Sequence, residues 1–150
     1  MTLSQLTLRG RMAYGIACFT AYLTKNKIDL KPYKEEINIL SEFTSSTNLA
    51  AWDKKAKSII YTKYSDDKLR ETIPNICDKL YWIGGGELYG QPSDCKESEN
   101  ILKELIKLLR ENNIEIPDIK VFSAYMLSNP KTTDDYFGKP FQFKTHPISK

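Results

Sequence analysis

A chain of 150 residues with 41% hydrophobic and 27% charged content has enough apolar material for one substantial core, which excludes a disordered or low-complexity protein. Its net charge of +3 falls short of the basic excess of a dedicated nucleic-acid binder. Three cysteines without a C-x-x-C pair and the single histidine, His146, are too few for a disulfide framework or a zinc site, and fit reduced thiols in a cytoplasm.

In chain order, Leu8, Met12, Ile16, Phe19 and Leu23 share one face of a first helix that ends near Asn26. Ala13, Gly15, Ala17 and Ala21 on that helix are small enough to admit a close neighbour. Arg9 and Arg11 ahead of Met12 to Cys18 have something of a signal peptide's layout. The apolar run is only about six residues against the roughly 7–15 required, so export is not expected. Pro32 opens a second helix carrying Tyr33, Ile37, Leu40 and Phe43. Ser45-Ser46-Thr47 reads as the cap of a third, with Leu49, Trp52, Ala56, Ile59 and Ile60 on its apolar face.

A fourth helix follows Ser65-Asp66 with Leu69, Ile73, Ile76, Leu80 and Ile83. Pro74 inside that pattern predicts a kink or break, and the glycines after Trp82 predict a stop. The fifth, capped by Ser93 or Asp94, carries Ile101, Leu102, Leu105, Leu108 and Leu109, and Asn112-Asn113 ends it. Pro117-Asp118 opens a short last helix through Val121, Phe122, Tyr125 and Met126. After Pro130 the tail is irregular but aromatic, and is expected to pack back onto the helices. Without period-2 alternation or a run near the roughly 20 apolar residues of a membrane span, the chain reads as one all-α domain of about six helices.

Four of the seven glycines fall between Trp82 and Gly90. Gly85 and Gly90 have P-loop spacing, but Gln91 and Pro92 follow where lysine and a hydroxyl are needed, and Glu87 would repel a phosphate. Two readings of the stretch remain: a helix stop with a plain connection, or a contact surface. In the second, Trp82 and Tyr89 are anchors beside an acidic patch that includes Glu87, Asp94 and Glu97.

Other chemistry is thinly supported. No local context activates a cysteine toward His146. Glu97, Glu104 and Glu111 recur along one helix face without a Glu-x-x-His partner, so neither a metal nor another cofactor is expected. Lys54, Lys55, Lys57 and Lys63 with Tyr61 and Tyr64 could meet a nucleic acid, although such a run more often forms a solvated face.

The opening helix Arg9-Gly10-Arg11-Met12-Ala13-Tyr14-Gly15-Ile16-Ala17-Cys18, Trp52 on a middle helix, and the Trp82 helix end with its glycines together resemble the small helical immunity proteins of bacterial polymorphic or contact-dependent toxin systems. The resemblance covers most of the chain. It implies a non-enzymatic protein that binds a cognate toxin and blocks its active site or an exosite. The alternatives are a small cytoplasmic enzyme with a carboxylate site, or a regulatory protein that meets nucleic acid through the lysine helix.

Overall fold

The computed structural model describes residues 2–88, 96–125 and 137–143, and among these the protein is all-α. Five α-helices appear: α1 (Leu8–Lys25), α2 (Lys34–Ser45), α3 (Leu49–Lys63), α4 (Thr72–Leu88) and α5 (Lys96–Glu111). The expected last helix is instead a 3-10 segment, Ile119–Tyr125, which buries Phe122 and leaves Val121 exposed. None of the described helices is long and apolar enough to cross a membrane.

Helix α1 is the axle of the fold. The expected face of Leu8, Met12, Ile16, Phe19 and Leu23 is buried, and so is most of the opposite side, including Arg9, Arg11, Tyr14 and Thr20. Helices α2, α4 and α5 all pack against it, while α3 lies across α2 and α4. Gly15 permits a close approach of α4, since a Cβ there would lie 2.6 Å from a Leu80 methyl. The Thr7 hydroxyl caps α1 by accepting the Gly10 N–H at 3.0 Å.

Helix ends follow local chemistry, with several departures from expectation, and Pro32 lies in a 3-10 turn, Lys31–Tyr33, ahead of α2. Helices α1 and α5 close in the same way: Lys27 and Asn113 turn left-handed at φ 56° and 57°, and the Ile28 and Ile114 N–H groups return to Leu23 and Leu109 at 2.9 Å. The cap of α3 is Asn48, which accepts the Ala51 N–H at 3.1 Å, because α2 itself continues through Ser45. Pro74 causes no break. A 3-10 turn occupies Lys68–Arg70 and α4 starts only at Thr72, so Pro74 stands in the first turn, where its missing N–H would have had no helical acceptor.

Part of the aromatic tail does pack back. Phe137 is buried with its ring centroid 6.4 Å from that of Phe43, and the Phe141 N–H donates to the Thr44 carbonyl at 2.8 Å. Arg9 ties this strap down. Its Nη1 donates to the carbonyls of Phe43 at 2.6 Å and Ser46 at 3.0 Å, and its Nε to Gly138 at 3.1 Å. A cation at the C-terminal end of α2 also meets the negative end of the helix dipole. Arg11 is likewise buried, and donates to the Leu6 and Ser4 carbonyls and to the Ser98 hydroxyl of α5.

Candidate functional site

The glycine run does not stop α4; the helix continues through it to Leu88. Each glycine costs roughly 1 kcal/mol of helix propensity relative to alanine, and what offsets the first two is close ring packing. A Cβ on Gly84 would lie 2.7 Å from the Phe43 ring and 2.9 Å from Trp52, and one on Gly85 would lie 2.5 Å from the Tyr81 ring. Gly86 differs. Among the described residues its side-chain position is uncrowded, with Trp82 Cε3 at 3.5 Å and Glu97 Oε2 at 3.9 Å as its neighbours.

Those rings form a column from the core to the surface. Phe43 tilts against Trp52 at 4.8 Å between centroids, Trp52 stacks on Tyr81 at 5.9 Å, and Tyr81 meets Trp82 edge-on at 5.1 Å. Tyr61 of α3 closes the side of the column, edge-on to Tyr81 at 5.7 Å. The polar tips are satisfied along its length: Trp52 Nε1–H donates to the Ile39 carbonyl at 2.7 Å, Tyr81 to Asp53 at 2.5 Å, and Tyr61 to Asp78 at 2.5 Å. Trp82 caps the column and is 46% exposed, in a protein whose other tryptophan is 3% exposed.

Of the residues expected at a contact surface, the structure therefore brings Trp82 and Glu97 together beside Gly86. Glu97 is exposed, as one of two acids in the first turn of α5. Tyr89 and Asp94 lie outside the described residues, as does the side chain of Glu87. Tyr61 and Asp78 join the facet without having been anticipated there. Asp78 stands one helical turn before Trp82, a spacing that could have signalled it.

The lysine helix offers less to a phosphate backbone than its composition suggests. Lys55 pairs with Glu42 at 3.4 Å, Lys57 with Asp53 at 3.4 Å, and Lys63 with the buried Glu36 at 3.0 Å. Tyr64 is buried and donates to Glu36 at 2.5 Å, so its ring is not available for base stacking, and the hydroxyl of the half-buried Tyr61 is committed to Asp78.

Nucleophilic chemistry is muted at the described thiols. Both Cys18 and Cys77 are buried, and burial pushes the Cys18 thiol up to about 12 and raises Cys77 as well. Burial also raises the phenols of Tyr14, Tyr61 and Tyr64; hydrogen bonds to Asp78 and Glu36 add to the last two, while a polar interaction with Trp82 partly opposes the rise at Tyr61. Among the described residues no group of three or more His, Cys, Asp or Glu side chains is placed to hold a metal ion.

The folded state holds the thiol and phenol protons more tightly than the unfolded chain, so their contribution to stability is complete below the unfolded values of about 8.5 and 10 and is lost as pH rises beyond them. Thermal melts should therefore show a falling Tm from about pH 9 upward. A flat Tm between pH 8 and 11 would contradict the buried, hydrogen-bonded placement of these groups.

No protein-family model matches the chain, and no curated protein or solved structure matches it.

Proposed function

We propose that this protein works by gripping another protein through the Trp82 facet, and that it is an immunity protein that neutralises a cognate bacterial toxin in the cytoplasm by direct binding. The observation that carries the reading is the exposed indole at the end of a packed aromatic column. An exposed tryptophan that is already ordered loses little side-chain freedom on binding, and it contributes large apolar area with a polar edge. Isolated exposed tryptophans with such backing are the kind of residue that dominates interface energetics.

The experiment is affinity capture from the native host followed by mass spectrometry, with wild type and Trp82→Ala in parallel. The expected result is a specific partner retained by the wild type and lost by a variant that melts within a few degrees of it. The partner's toxicity should be suppressed by co-expression of the wild type and restored with Trp82→Ala. Recovery of no specific partner, or equal capture by both proteins, would sink the proposal.

A further inference from the structure

The charge pattern around Trp82 names the chemistry of the group it would hold. Most carboxylates on the neighbouring helix faces have a lysine within reach: Glu36 with Lys63, Glu42 with Lys55, Asp53 with Lys57, Glu99 with Lys103, and Glu104 with Lys79. Among the described residues, the two acids flanking Trp82 have no such cation. Asp78 accepts the Tyr61 hydroxyl, and Glu97 stands exposed with its Oε2 3.9 Å from where a side chain at Gly86 would begin. In a chain with a net charge of +3, this is a local negative site built beside an aromatic face.

Resting on the reading of Trp82 as a protein-contact residue, we infer that the facet takes an arginine side chain from the partner. Its guanidinium would lie over the Trp82 indole and donate to Glu97 beside Gly86. Arginine suits this site better than lysine, because a planar guanidinium stacks on an aromatic face while its N–H fork reaches a carboxylate in the same plane. Gly86 is part of the fit. Among the described residues a methyl group there meets no atom closer than 3.5 Å, so the fold accepts it, but it would crowd the space shared by the ring and the carboxylate.

The probe is a synthetic peptide of alternating arginine and glycine, compared with the same peptide carrying citrulline, which keeps the shape and removes the charge. Each is titrated into the full chain by calorimetry while the indole N–H signals of Trp82 and Trp52 are followed by NMR. The arginine peptide should shift the Trp82 signal and leave the buried Trp52 signal in place. Citrulline should weaken binding about ten-fold, and Glu97→Gln about five-fold. Gly86→Ala should weaken binding about five-fold while Tm stays level or rises by a degree or two, which separates a crowded site from a damaged fold.

Equal binding of the two peptides, no Trp82 shift at millimolar peptide, or an unchanged affinity in Glu97→Gln overturns the arginine assignment. A homodimer in sedimentation that Trp82→Ala dissociates, with no peptide binding, also overturns it and gives the facet to a second copy. If any of these occurs while partner capture still depends on Trp82, the protein-contact reading stands and only the partner's chemistry is wrong. If capture no longer depends on Trp82, both fall.

Discussion

Gly84→Ala should lower the melting temperature by about 4–8 °C, although alanine is the better helix former. The added Cβ would sit 2.7 Å from the Phe43 ring and 2.9 Å from the Trp52 ring, below any real carbon contact. Neither ring can yield cheaply. Trp52 is held by its bond to the Ile39 carbonyl, and Phe43 lies between Trp52 and Phe137. Overpacking a close-packed site typically costs about 1–3 kcal/mol, and the clash with two fixed rings belongs at the upper end. The helix-propensity gain of about 1 kcal/mol offsets only part of it. Gly86→Ala, two residues on, meets only ordinary contacts among the described residues and is the internal control. Equal melting temperatures for the two variants would show that the glycines do not admit the aromatic column.

Arg9→Met should cost about 2–4 kcal/mol and release the tail. The substitution keeps most of the side chain's length and packing but removes the donors to the carbonyls of Phe43, Ser46 and Gly138. The Phe43 and Ser46 carbonyls lie at the end of α2, where no further helical N–H is available, so the first would be left buried and the second part-buried, both under-bonded. Hydrogen exchange gives a local readout. The Phe141 amide, bonded to the Thr44 carbonyl, should exchange much faster in the variant than α1 core amides do relative to wild type. Arg9→Lys should fall between the two, since one ammonium keeps the charge but cannot span three acceptors. Wild-type protection at Phe141 in Arg9→Met would show that Arg9 is not what holds the strap.

The helices were largely legible because their apolar faces repeat at helical spacing. The five predicted core residues of α1 are all buried, and Leu102, Leu105 and Leu109 turn inward on α5. Boundaries were read less well where two signals compete. Pro74 looked like a break because the apolar pattern extends back to Leu69, but the helix begins three residues later and takes the proline into its first turn. The glycine run looked like a stop because glycine is a poor helix former. Only the three-dimensional position of Phe43 and Trp52, distant in sequence, reveals why glycine is required there. Arg9 and Arg11 were read as flanking charge, since burial of an arginine depends on carbonyl acceptors that no local pattern announces. At the site, Trp82 and Glu97 were anticipated, whereas the support from Tyr61, Asp78 and Tyr81 depends on how α3 crosses α4.

The central claim is that Trp82, and not simply any exposed apolar side chain, carries partner binding. Val121 is 74% exposed and lies on a different element, which makes it the natural control. The decisive measurement is the dissociation constant of the captured partner for wild type, Trp82→Ala and Val121→Ala, each shown by its melt to be folded. Loss of a hot-spot tryptophan should weaken binding about 30-fold or more, with Val121→Ala within about two-fold of wild type. Similar dissociation constants for Trp82→Ala and wild type would contradict the account.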